Sequence, residues 1–274
     1  MSEKTILLSP KKCFSSFDQS FNRVKYFSCI AENTQLTHLP TEWMIKTDTG
    51  LNYGMQPPEE KQQSYILAGY QHFMQCYLVR DCIESFALCL DEFFLLLLLN
   101  GKRIHSSQRP LDALSPDEAK NLKNFNKASV AGKIEKLQST FGITLEENDK
   151  NSINSLRDIR NRLAHNNGIV RETDGSPSEN GKRQFMWTTI TVFGTGETTG
   201  ERQNLKKIIG KTLTEDTNFF MEVKPQKKEF TVGEQLSFSA QESYEIARSL
   251  EKAALALIKS AEQVMEKPQA ASSP

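Results

Sequence analysis

The chain has 274 residues, with 34 basic and 34 acidic side chains and a formal net charge of zero. That balance excludes a globally basic nucleic-acid binder, so any RNA contact must come from a local basic surface. An apolar fraction of 38% with 25% charged residues is the composition of an ordinary globular protein, not a disordered one, and the length fits one large domain or one domain with a substantial insertion.

Residues 1–60 read as an N-terminal appendage of irregular structure and short elements. Pro40, Gly50, Gly54 and Pro57-Pro58 interrupt them, and the apolar pieces at Phe14–Phe17 and Phe21–Ile30 are short. Met1–Pro10 lacks an apolar core of signal-peptide length. Residues 61–100 predict one long helix. Ile66, Tyr70, Phe73, Met74, Tyr77 and Leu78, then Ile83, Phe86, Leu90, Phe93, Phe94 and Leu97, recur at steps of three and four and are expected to share a buried face. Phe93–Leu99 is wholly apolar but only seven residues long, against the roughly 20 a membrane span needs. It is expected to end a core helix, and no membrane association is expected. The five cysteines, Cys13, Cys29, Cys76, Cys82 and Cys89, form no C-x-x-C pair and predict reduced, buried thiols in a cytoplasmic protein.

Ser115-Pro-Asp-Glu118 has the residues of a capped helix start, with proline at the first helical position. A second helical piece runs from Ser129 to Phe141 and stops at Gly142. A third begins near Asn148 and stops at Asn166-Asn167-Gly168. Residues 61–170 are therefore expected to form a helical bundle core. Residues 171–235 change texture: turn-rich segments at Asp174–Pro177 and Gly194–Gly200 bracket Gln184–Phe193, and Asn218–Val223 and Glu229–Val232 are likewise rich in β-branched and aromatic residues. These predict a small antiparallel β insertion. Ser239-Ala-Gln-Glu242 opens a final helix within 236–267, and 268–274 are expected to be a disordered tail. The fold class expected is mainly α, a bundle of four to five helices with a β insertion.

The stretch that carries chemistry is Leu156-Arg-Asp-Ile-Arg-Asn-Arg-Leu-Ala-His165-Asn-Asn-Gly168. At about 100° per residue from His165, Leu156, Ile159 and Leu163 form the core stripe. Asn154, Asp158 and Asn161 share the histidine's face, with Arg157 and Arg162 on either side. Arg160 falls about 140° away, at the edge of the core stripe. Arg160 and His165 converge only if the helix ends before His165 or a second copy of the chain completes the site. A histidine titrates near neutrality and suits general acid–base work, and a guanidinium suits a phosphate on which charge develops. The same residues also suit a plain helix end: basic side chains favour the negative helix terminus, and Arg160 can pair with Glu84, Asp91 or Glu92. No metal-ligand spacing, phosphate-binding glycine loop or serine nucleophile elbow is present.

This stretch, as Arg160-Asn161-x-x-x-His165 on a late helix of an all-α bundle, resembles the R-x4-6-H motif of the HEPN superfamily. The resemblance implies a HEPN-like bundle and a metal-independent endoribonuclease without cofactor. Arg160 and His165 would be its catalytic pair, Asn161 would assist, and Arg157 and Arg162 would contact RNA. It implies a homodimer acting on tRNA or mRNA, leaving a 2′,3′-cyclic phosphate and a 5′-hydroxyl, in the manner of toxins or anti-phage effectors held by an antitoxin or regulatory protein. The alternatives from other classes are a non-catalytic HEPN dimerisation or ligand-sensing module, and a helical scaffold with a fortuitous motif. The β insertion carries Lys182, Arg183, Arg202, Lys206, Lys207, Lys211, Lys224, Lys227 and Lys228, as an RNA-backbone surface or a solvated charged face.

Overall fold

In the computed structural model the described residues are 9–33, 44–45, 53–54, 58–102, 104, 108–165, 167–204, 212–213 and 215–266. The tail expected at 268–274, together with His38, His105, Lys206, Lys207 and Lys211, lies outside them. The described residues are mainly helical with a small antiparallel sheet. The helices are α1 (Ser15–Asn33), α2 (Glu60–Leu99), α3 (Pro116–Asn126), α4 (Val130–Phe141), α5 (Glu147–His165) and α6 (Ala240–Glu266). Two-residue strands β1 (Met44–Ile45) and β2 (Tyr53–Gly54) pair with each other. The larger sheet holds β3 (Ser176–Pro177), β4 (Arg183–Gly196), β5 (Arg202–Asn204) and β6 (Thr217–Phe230). No described helix is long and apolar enough to cross a membrane.

Local signals set the helix ends. Ser115 accepts the Glu118 N–H while the Glu118 carboxylate accepts the Ser115 N–H, a reciprocal cap, and Ser239 and Glu242 do the same for α6. Gly142 ends α4 at φ 71°, a left-handed position that costs glycine nothing.

The core is built around α2. Phe86, Leu90, Phe93 and Phe94 are buried there. Phe14 and Phe17 come against Phe86 from the N-terminal segment, and Phe125 of α3 stacks on Phe94 at 3.9 Å. Two sequence expectations need correction here. Residues 15–33 are not part of an irregular appendage but a 19-residue helix that supplies Phe17 and Val24 to the core. Its buried side also carries Ser20 and Ser28, whose hydroxyls bond to Asp81 and Gln75 of α2. The apolar residues of α2 do not share one face either. Tyr77 and Phe86 are nine positions apart, a rotation of about 900°, or two and a half turns, which puts them on opposite sides of the helix. Phe86 points into the core, while Tyr70, Phe73 and Tyr77 are 52%, 64% and 51% exposed.

Strand β4 is central. It pairs with β6 over its whole length, Arg183↔Phe230 to Gly196↔Thr217. The segments read separately as Asn218–Val223 and Glu229–Val232 thus belong largely to one strand. Pro225 interrupts the pattern but not the strand, because its missing N–H lies on the outer edge of β6, away from β4. The opposite edge of β4 is paired only near its ends, by β3 and β5. Between those ends two helical serines satisfy it: Met186 N–H donates to Ser155 Oγ of α5 at 2.7 Å, and Thr188 N–H to Ser249 Oγ of α6 at 3.1 Å. Phe185 and Trp187 are buried beside these contacts. The insertion is therefore wedged edge-on against the bundle, and a bridge between Ile169 and Gln235 ties its two stems together.

Ser249→Ala leaves the Thr188 N–H buried without a partner and is expected to cost about 1–3 kcal/mol in urea unfolding, whereas the exposed Ser139→Ala stays within about 0.5 kcal/mol. The thiols give a second expectation. Burial pushes Cys13, Cys76 and Cys89 up to about 11, and Cys82 further. A folded pKa above the unfolded value of about 9 gives stability that is present below that pH and lost as pH rises towards 11. The urea midpoint should fall across that window. At pH 8 a thiol reagent should label exposed Cys29 quickly and Cys13, Cys82 and Cys89 only on unfolding.

Candidate active site

Helix α5 places the motif. Ser152, Ile153, Leu156 and Ile159 are buried, which fixes its rotation. The helix stays regular through His165 and only then turns away: Asn167 takes φ 50° and Gly168 φ 77°, both left-handed, and the Gly168 N–H returns to the Arg162 carbonyl at 3.0 Å. The route in which the helix ends before the histidine is therefore closed. Arg160 and His165 keep the divergence of an ideal helix. His165 is exposed and has no hydrogen-bond or ion-pair partner among the described residues.

Arg160 lies over α2. Its Nε and Nη2 both stand 3.1 Å from Glu84 Oε1, and its Nη1 donates to Asn161 Oδ1 at 3.3 Å. Arg80 holds the same Glu84 oxygen at 3.1 Å, so one carboxylate serves two guanidiniums. The Arg160 side chain keeps 35% of its surface exposed. Arg160, Asn161 and Arg157 border a cleft of about 440 Å³ that also takes in Glu84, Asp91, Ser129 and Lys133. Lys133 is buried there, 2.6 Å from Asp91 Oδ1, and donates to the Ala87 carbonyl. Burial pushes the Asp91 carboxyl up, and the Lys133 hydrogen bond opposes it. Ser129 caps α4 by accepting the Gly132 N–H, so the positive end of that helix opens on the cleft. The lining has three cations, Lys133, Arg157 and Arg160, against the carboxylates Glu84 and Asp91.

The five residues singled out in the sequence are thus divided. Arg160, Asn161 and Arg157 meet at one cleft, with Arg157 held by its neighbour Asp158 at 2.8 Å. His165 is not in the lining. Arg162 points elsewhere. It is only 17% exposed and lies 2.9 Å from Asp174, itself 4% exposed, with its Nε and Nη1 buried and poorly hydrogen-bonded. Arg162 is therefore an internal tie between α5 and the insertion, which takes it out of the set free to meet RNA. The spacing argument weighed Glu84 and Asp91 as partners of Arg160 but passed over Lys133. A signal was there: Lys133 falls among Val130, Ile134 and Leu137 on the apolar face of α4, where a lysine needs an acidic partner. Among the described residues no three His, Cys, Asp or Glu side chains are grouped to hold a metal ion.

Scanned against protein-family models, the curated proteins and the solved structures, the chain gives no match.

The two arginines should separate on substitution. Arg162→Ala takes the countercharge from the buried Asp174 carboxylate, which keeps the Arg171 N–H as a hydrogen-bond donor, and is expected to cost about 3–5 kcal/mol. Arg160→Ala breaks a half-exposed pair worth under about 1 kcal/mol. Denaturant unfolding of both variants checks this.

Proposed function

We propose that this chain is a metal-independent endoribonuclease of the HEPN type, built on a HEPN-like helical bundle and working as a homodimer. The observation that carries the reading is the placement of Arg160 and Asn161 at the mouth of a cationic cleft, with an exposed, unpartnered His165 closing the same helix. In this reading His165 takes the proton from the RNA 2′-hydroxyl. The 2′-oxygen attacks phosphorus, the bond from phosphorus to the 5′-oxygen breaks, and the leaving oxygen takes up a proton. The products are a 2′,3′-cyclic phosphate and a 5′-hydroxyl. Arg160 turns from Glu84 to the phosphate as charge builds there, where a guanidinium offers paired donors. Asn161, already bonded to Arg160, steadies that turn. Because Arg160 and His165 diverge on one helix, each site draws on two subunits. The role that fits is an RNA-cutting toxin or anti-phage effector in the cytoplasm, acting on tRNA or mRNA under an antitoxin or regulatory protein.

One observation favours a second reading. Glu84 already neutralises Arg160, as it would in a non-catalytic HEPN dimerisation or ligand-sensing module. RNA cleavage in EDTA separates the two. The nuclease reading expects wild type to cut and His165→Ala and Arg160→Ala to lose at least about 100-fold in rate with unchanged unfolding midpoints. Equal cutting by wild type and both variants assigns the activity elsewhere, and no cutting by purified wild type on tRNA or mRNA favours the module.

A further inference from the structure

Strand β4 leaves a gap in its own hydrogen bonding. By register its odd-numbered residues bond to β6, and its even-numbered residues turn their N–H and C=O groups to the opposite edge. There Gln184 is paired with Ser176 of β3, and Gly194 with Gln203 of β5. Gly196 N–H donates to the Glu201 carbonyl, and the Met186 and Thr188 N–H groups donate to the two helical serines. Ile190 and Val192 are left with no partner on that edge among the described residues. The gap, Thr189-Ile-Thr-Val192, is uncharged and β-branched throughout, and spans about 13 Å. It opens into a cleft of about 720 Å³ between α1, α6 and the sheet, bordered by Tyr26, Tyr244 and Met221. The outer edge of β6 also lacks a partner strand among the described residues. That edge is guarded, because Pro225 stands in it with Lys224 and Lys227 beside it. The gap in β4 has no such guard.

We propose that the gap in β4 takes an extended segment of a partner protein as an added strand, with apolar residues alternating with acidic ones. Free N–H and C=O groups at Ile190 and Val192 need the backbone of another strand, which a lipid or a small apolar ligand cannot supply. The two positions lie about 7 Å apart, the two-residue repeat of an extended chain. Partner residues set opposite Ile190 and Val192 place their side chains on the same face as these two, so those residues are the apolar ones. The charge of the lining selects the others. Glu245 is already engaged, accepting from Trp187 Nε1 at 3.3 Å and from Gln241 Nε2 at 2.7 Å, and Arg248 pairs with Glu251. Lys25 has no ion pair among the described residues, and its ammonium lies 5.8 Å from the Tyr26 ring. An acidic side chain gives it the missing countercharge. This cleft shares no lining residue with the one at Arg160, and the proposal does not depend on the nuclease reading.

The test is fluorescence anisotropy with the full chain and three labelled hexapeptides. One alternates valine with glutamate, the second is the same peptide N-methylated at its valines, and the third alternates valine with lysine. Wild type is expected to bind the first, and to bind each of the others at least about tenfold more weakly. Val192→Pro removes an outward N–H, as Pro225 does in β6, so the fold is expected to hold while binding of the first peptide falls at least about tenfold. Lys25→Glu, at an exposed side chain, is expected to narrow the preference for glutamate over lysine with an unchanged melting temperature. No binding by wild type overturns the proposal, whether a second copy of the chain or the residues after β5 then take the gap. Equal binding of the N-methylated peptide, or equal binding by Val192→Pro, overturns strand pairing. Equal binding of the lysine peptide overturns the acidic partner. If Val192→Pro lowers the melting temperature, the N-methylated peptide decides strand pairing alone.

Discussion

The C-terminal half of α2 is apolar over most of its circumference and must be covered there, and the architecture follows from that. From Leu78 to Leu99 nearly every position that is not charged is apolar and buried. At roughly 25 cal/mol per Å² of apolar surface, such a helix is stable only when neighbours surround it. Helices α1, α3, α5 and α6 do so, bringing Phe17, Phe125, Leu156 and Leu250 to the core. The few charges on this half of α2 must then find partners among the covering helices. Asp81 takes Arg23, Glu84 takes Arg160 and Asp91 takes Lys133. The candidate cleft is the place where two of those pairings sit side by side. Its lining comes from α2, α3, α4 and α5 together.

The same constraint explains the split among the arginines of α5. The residue that reaches α2, Arg160, ends in a half-open pair, and the residue that reaches the insertion, Arg162, ends in a closed one. Half-open ion pairs contribute little to stability and exchange partners easily, whereas closed ones resist disruption. Geometry thus leaves Arg160, not Arg162, in a pair that can exchange partners. Their spacing on the helix points the other way, since it puts Arg160 at the edge of the core stripe and Arg162 beside the polar face, yet Arg162 is the buried one. The difference arises from Glu84 and Asp174, 76 residues upstream and 12 downstream of the arginines they hold.

What was legible in the amino-acid sequence was local. Ser115 with Glu118, Ser239 with Glu242, Gly142, and Asn167 with Gly168 act within a few residues of themselves, and each marks a helix end where the sequence placed one. Helix α1 escaped notice because its buried side includes Ser20 and Ser28, which break the apolar rhythm yet are satisfied by Asp81 and Gln75. The length of β6 was hidden by Pro225, which is harmless on an outer edge. The outward turn of Tyr70, Phe73 and Tyr77 was hidden by counting steps of three and four without summing the rotation to Phe86. At the site, the angle between Arg160 and His165 could be read from spacing alone. The cleft could not, since Lys133 and Ser129 come from another helix.

The central claim is that Arg160 and His165 act together only across two subunits. Mixing the Arg160→Ala and His165→Ala variants after separate unfolding, then refolding them together, tests it directly. Random reassociation makes about half the dimers mixed, and a mixed dimer has one intact shared site of its two. The account predicts recovery of about a quarter of wild-type RNA cleavage from two inactive parents. No recovery, with mixed dimers shown to form, would contradict it.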